Sequence, residues 1–198
     1  MIDSVHLSRL IAILAVLLLM LFAKTITGQV KYEREYRIPA KEVPEQAVSF
    51  VKGCISQKVK WYREENIKNI SIEAKTHIRE TKYSIEFDKL GNIRDIEFII
   101  SFGDIPEYPR KRIKHQLDSL FQKHKIIKVQ QQYTGEAQAL KELLCDNTSQ
   151  KPYNTRYEIV MAGKREKLMQ KHEILTEKNG LFQKISRIMP QDMDNLIY

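Results

Sequence analysis

The chain has 198 residues, 33 basic against 25 acidic, with five histidines, two cysteines and a net charge of +8. That length holds one domain or two small fused units, and its charge is spread through the chain, which favours solubility and some affinity for acidic surfaces without specifying a fold. The histidines and cysteines lack His-x-x-x-His and Cys-x-x-Cys spacing, and there is no Gly-x-Ser-x-Gly elbow or phosphate loop, so metal, cofactor and catalytic sites are not expected.

Leu10 to Ala23 is an unbroken apolar run of 14 residues preceded by Arg9, short for a bilayer span, which needs about 20. A basic flank, an apolar core and a small residue at Gly28 read as a secretory signal peptide over residues 1–28, cleaved before Gln29. The alternative is an uncleaved signal anchor. Removal takes away Arg9, Lys24 and Asp3 and leaves 170 residues with a net charge of about +7. Residues 29–42 read as a polar lead-in with Tyr32, Tyr36 and Ile38 spaced to dock.

Val43-Pro44 opens the first helix, since proline is pre-organised for the first helical position. Ala47, Val48, Val51, Cys54 and Ile55 form its apolar face, and the helix fades near Gln57. Val59-Lys-Trp-Tyr62 begins extended structure, and Asn69 to Ala74 alternates as a half-buried strand. Tyr83, Ile85 and Phe87 alternate next, Lys89-Leu-Gly-Asn92 makes a tight turn, and Ile96, Phe98 and Ile100 return. Gly103-Asp-Ile-Pro106 marks a seam. Tyr108-Pro109 then opens a second helix, with Ile113, Leu117, Leu120, Phe121 and His124 on one face. Ile126 to Val129 is extended, residues 136–145 read as a short inserted helix carrying Ala137, Leu140, Leu143 and Leu144, and Tyr157, Ile159 and Met161 alternate as a strand. A final hairpin follows, and residues 191–198 form a loose tail.

The two hairpins say the same thing twice. With Gly91 laid on Gly180, Asp88 falls on Glu177, Ile93 on Phe182, Ile96 on Ile185 and Ile99 on Ile188. The expected fold class is therefore α+β, with two tandem units, residues 43–103 and 104–190. Each would pack an N-terminal helix on an antiparallel sheet of three to four strands.

Val43-Pro44 opening a helix, Val59-Lys60-Trp61, and Phe87-Asp88-x-x-Gly91-Asn92 together resemble secreted PepSY-like proteins. The resemblance covers residues 38–189 as two copies, and the second departs from it with Val129 in the tryptophan's place and the inserted helix. It implies a β-lactamase-inhibitor-protein-like fold, export without catalysis, and protein binding through the open face of the sheet.

Strand alternation sends Trp61 under the first helix and Tyr62 the opposite way, which makes Tyr62 a candidate partner-binding residue. Arg110, Lys111, Arg112 and Lys114, with His115 beside them, crowd the first turns of a helix, where cations oppose the dipole. They are candidates for docking an acidic protein or an anionic envelope polymer, with a solvated helix face as the plainer reading. Cys54 and Cys145 are one potential disulfide in an oxidising compartment, with a buried free thiol at Cys54 as the alternative. Nucleic acid is not expected, nor any membrane contact after signal cleavage, and the sequence sets no oligomeric state. The functional expectation is an exported, non-catalytic binding or inhibitory module of the bacterial cell envelope. The rival is a signal-anchored inner-membrane protein, structural or sensory, facing the periplasm. An enzyme would need polar groups converging around His77 or His172.

Overall fold

Period-two alternation dominates the chain, and in the computed structural model it becomes one sheet. The structure describes residues 29–31, 33–66, 69–146, 148–165 and 167–189; the expected signal peptide, Tyr32 and the tail after Pro190 lie outside them. Ten strands follow in chain order: β1 (Gln29–Lys31), β2 (Glu33–Ile38), β3 (Lys60–Asn66), β4 (Ile70–Ile78), β5 (Thr81–Asp88), β6 (Ile93–Ile100), β7 (Lys123–Gly135), β8 (Tyr153–Arg165), β9 (Leu168–Glu177) and β10 (Phe182–Ile188). Among the described residues the α-helices are α1 (Glu45–Lys52), α2 (Glu107–Leu120) and α3 (Ala137–Asp146).

Two separate helix-on-sheet units are not what forms. The strand order is β1-β10-β9-β8-β7-β6-β5-β4-β3-β2, antiparallel throughout except for the short parallel pair β1–β10. The join is β6 with β7, in register from Asp95↔Thr134 to Ile100↔Val129. A first unit ending at β6 would leave that edge's N–H and C=O groups unpaired, and β7 takes them instead. Within the lead-in, Gln29–Lys31 and Glu33–Ile38 supply the two edge strands.

That last fact bends the sheet. Lys31 and Glu33 are two residues apart, so their Cα atoms lie within roughly 7 Å. Yet β1 borders β10 and β2 borders β3, at opposite ends of the strand order. A flat sheet of ten strands would separate its ends by about 43 Å at ~4.8 Å per strand. The sheet must therefore curl until its two edges approach, with an outer face and an inner face.

All three helices cover the outer face. Ala47 and Val51 of α1 pack with Trp61, Ile72, Ile85, Phe87 and Ile96. Ile113 and Leu117 of α2 pack with Val129, Ile159, Met161, Ile174 and Ile185. Leu140, Leu143 and Leu144 of α3 join the first of these clusters although α3 follows β7 in the chain. The second half thus contributes to the core of the first, a second reason they are not tandem units. Trp61 is buried as alternation requires, with its ring centroid 6.1 Å from that of Phe87.

Both hairpin glycines sit beneath a helix start. Gly91 and Gly180 have φ of 91° and 81°, the left-handed region that suits glycine. A Cβ on Gly91 would meet Pro44 Cβ at 2.8 Å, and one on Gly180 would meet the Pro109 carbonyl oxygen at 2.5 Å. The turns close with the same bonds: Gly91 N–H donates to the Asp88 carbonyl at 3.0 Å and Gly180 N–H to that of Glu177 at 2.8 Å. Pro109 itself is the third residue of α2, which starts at Glu107 and not at the proline. First-turn N–H groups have no intrahelical partner, so a proline there forfeits nothing. The second helix also ends sooner than expected, and His124 lies in β7, its Nε2 2.8 Å from Asp118 Oδ1.

Cys54, just beyond α1, is disulfide-bonded to Cys145 near the end of α3, with Cα atoms 4.6 Å apart and a sequence separation of 91. The bond fastens together the two helices that share a core.

Candidate functional site

The register assigns every second residue of β3–β10 to the inner face, and among the described residues no helix covers it. One row across it reads Lys60↔Lys75↔Ser84↔Glu97↔Gln132↔Arg156. The adjacent row places Tyr62, Glu73, Glu86 and Asp95 side by side. Like charges directly opposite one another are unfavourable, so three carboxylates in a line need compensation from their surroundings.

The compensation is partial. Ser84 Oγ donates to Glu73, and Arg94 Nη1 lies 3.1 Å from Glu86. Lys75 Nζ lies 3.0 Å from Glu73 and 2.6 Å from Glu35, and it sits 4.8 Å over the Tyr62 ring. Glu97 accepts from Gln130 Nε2 at 2.6 Å and from Gln132 Nε2 at 2.9 Å. Both amides are buried, and both of their Oε1 atoms have no hydrogen-bond partner. A buried acceptor left unmade costs about 1–3 kcal/mol.

Although Asp95 and Glu97 keep some solvent contact, protein surrounds them on the inner face. Burial raises both carboxyls well above their ordinary values of 3.8 and 4.5. Glu86 and Glu158 reinforce this at Asp95, and Glu158 and Asp95 reinforce it at Glu97. A carboxyl whose folded pKa is raised contributes stability that is complete below its unfolded value and is lost as pH climbs through the folded one. Relative to the wild type, Glu97→Gln should therefore gain stability at pH 8, by about 1–2 kcal/mol, and the gain should vanish near pH 4. The new amide also offers an N–H to one of the unpartnered glutamine oxygens. Equal thermal midpoints for the two proteins at pH 8 would contradict this.

Beside the acidic row, at the ends of β3–β7, the inner face opens into a cavity of about 530 Å³. Glu73, Ser84 and Gln130 line it, together with Tyr62, His77 and Ile99, and the lysines at 58, 60, 75, 82 and 128 surround it. Among the described residues Lys75 is ion-paired, whereas Lys58, Lys60, Lys82 and Lys128 form no ion pair.

Tyr62, expected as a surface aromatic, stands half-buried in this cavity wall. The basic cluster of α2 does not join it, because α2 lies on the outer face. There Lys111 pairs with Glu107 at 2.6 Å and Lys114 with Asp118 at 2.6 Å, while Arg110 donates to the Gly103 carbonyl. These i,i+4 pairs and the Gly103 contact account for part of a cluster that opposes the helix dipole. His77 is exposed at the cavity. His172 is buried against Phe121, with ring centroids 5.0 Å apart, and burial lowers its pKa. Sequence reasoning did not bring the cavity's lysines together, because they arrive singly from separate segments.

No protein-family model matches the chain, and no curated protein matches it. Two solved structures are similar to it. A DUF2874 family protein from Bacteroides ovatus aligns with a TM-score of 0.50 at 10% identity, covering 79% of this chain and 94% of that one. A BLIP-like protein from Bacteroides fragilis aligns with a TM-score of 0.48 at 12% identity, covering 78% and 91%. At 10% identity the likeness to the first concerns the fold alone.

Proposed function

We propose that this protein is an exported, non-catalytic binding or inhibitory module of the bacterial cell envelope, and that it engages a partner protein through the inner face of its sheet. The observation that carries the reading is the division of labour between the two faces. The three described α-helices seal the outer one over an apolar core, while the inner one keeps an accessible cavity walled by Tyr62 and Ile99 and surrounded by lysines. Such a surface has the mixture of aromatic, aliphatic and polar groups on which protein recognition draws.

Export is supported by the apolar run at residues 10–23 and by the Cys54–Cys145 bond, since disulfides persist in oxidising compartments. Kinship with PepSY-like proteins is part of the proposal and rests on Val43-Pro44, Val59-Lys60-Trp61 and the Asp88 to Asn92 turn. The absence of catalysis is also a proposal, and a turnover assay that succeeded would overturn it.

The experiment places a photo-crosslinking amino acid at Tyr62 or Ile99 on the inner face, and at Lys114 on the outer face, in the living cell. Cross-links to an envelope protein from positions 62 and 99 but not from 114 are expected. Cross-links from 114 alone would sink the inner-face reading and restore the α2 cluster. N-terminal sequencing of the same material separates a chain beginning near Gln29 from the signal-anchored alternative.

A further inference from the structure

The turn of the last hairpin holds the only Asn-Gly step in the chain, Asn179-Gly180. An asparagine before glycine is open to intramolecular attack, because the glycine nitrogen has no neighbouring side chain to hinder its approach to the carboxamide. Asn69 and Asn92 precede isoleucine, whose branched side chain crowds the same nitrogen. In the first hairpin Leu90 holds the place of Asn179, so only the second turn carries this chemistry. Asn179 is exposed, whereas Gly180 is buried beneath α2.

In the folded turn the electrophile is set and the nucleophile is held back. Leu181 N–H donates to Asn179 Oδ1 at 2.9 Å. That oxygen gathers negative charge when a nucleophile adds to Cγ, and a donor placed there lowers such a barrier. The nucleophile is the Gly180 nitrogen, whose N–H donates to the Glu177 carbonyl at 2.8 Å. Losing that proton would set an amide anion against a carbonyl oxygen. Rotation away from it is opposed by α2. Gln116 Nε2 donates to the Gly180 carbonyl at 2.7 Å, and Gln116 Oε1 accepts from Phe182 N–H at 3.1 Å. Gly180 is thus fixed through both its N–H and its C=O.

We propose that Asn179-Gly180 is a succinimide-forming deamidation site that α2 restrains through Gln116, and that it reacts when the turn lifts from the helix. Local openings of this kind cost less than global unfolding. In the freed turn Gly180 N gives its proton to solvent hydroxide and bonds to Asn179 Cγ. The Cγ–Nδ2 bond breaks, and Nδ2 takes a proton from water and leaves as ammonia. The five-membered ring then takes up one water. Opening at Cγ gives aspartate, and opening at the Asn179 backbone carbonyl gives isoaspartate. Aspartate preserves the turn, since a carboxylate oxygen still accepts from Leu181 N–H. Isoaspartate lengthens the backbone by one carbon and displaces Gly180 from Gln116 and Pro109. This inference is independent of the partner reading above.

The test incubates the full chain in mildly alkaline buffer, digests it at intervals and follows conversion at Asn179 by mass spectrometry, with Asn92 as internal reference. Native wild type is compared with wild type in denaturing urea, with Gln116→Ala and with C54S/C145S, both variants kept under folding conditions. Conversion at Asn179 at least tenfold faster in urea than in the native protein is expected, with Asn92 lagging it at least tenfold there. Q116A should raise the native rate at least threefold with its circular dichroism unchanged. C54S/C145S, which loses a crosslink between the other two α-helices, should leave the rate within twofold. Should Q116A not fold, Gln116→Glu takes its place with the same expectation, because it keeps an acceptor for Phe182 and loses the donor to Gly180.

Equal rates in native and urea-treated wild type would show that the turn is not restrained. A wild-type rate in the Gln116 variant, or an equal acceleration in C54S/C145S, would remove α2 as the restraint. Parity of Asn92 with Asn179 in urea would remove the site itself.

Discussion

Replacing Cys54 and Cys145 together by serine is expected to lower unfolding stability by about 3–4 kcal/mol, or about 10 °C in midpoint. The bond spans 91 residues of chain, and a crosslink over a loop of that size removes much of the unfolded chain's freedom. The native side of the balance changes less, because Cys54 and Cys145 cap a contact that α1 and α3 already make through Val51, Leu140 and Leu144. Urea denaturation with and without reductant measures the effect. The serine variant and the reduced wild type should share one midpoint, well below that of the oxidised protein. Coincidence of all three midpoints would show that the crosslink constrains nothing.

Gly180→Ala carries the second large effect, a loss of about 2–4 kcal/mol. Two penalties combine. A residue with a Cβ is strained at a φ of 81°, and that Cβ would lie 2.5 Å from the Pro109 carbonyl oxygen. The obstacle is backbone within the first turn of α2, so it cannot swing aside as a flexible side chain would. Gly91→Ala should behave alike but cost less, because Pro44 Cβ at 2.8 Å is the nearest obstruction and α1 is shorter. Denaturation midpoints of the two variants test the ordering. A neutral Gly180→Ala would mean that the hairpin and helix are not held as close as described.

What was legible in the sequence is whatever local chemistry specifies. Tyr83, Ile85 and Phe87, like Tyr157, Ile159 and Met161, alternate because one side of each strand faces the helices. Alternation also separated Trp61 from Tyr62 correctly. The glycine turns were visible because positive φ leaves few alternatives. The edge strand β2 was not visible, since Arg34, Glu35, Tyr36 and Arg37 are exposed in succession and no period appears. The pairing of β6 with β7 was hidden for a different reason. A repeated motif reports that two segments have similar local structure, and it is silent on whether their backbones meet. The cavity was hidden likewise, because Lys60, Lys82 and Lys128 become neighbours only once β3, β5 and β7 have paired with the strands between them.

The N-terminal strands that draw the two sheet edges together also impose an order on assembly. Gln29 pairs with Ser186, 157 positions further along the chain, while Glu33 pairs with Asn66, 33 positions away. During synthesis β2 therefore finds its partner near at hand, whereas the partner of β1 does not yet exist. Hairpins such as β5–β6 form from neighbouring residues, but closure waits for the end of the chain and bears the entropic cost of the longest loop in the molecule. Until β10 is in place the sheet keeps a free edge there, and its curl is incomplete.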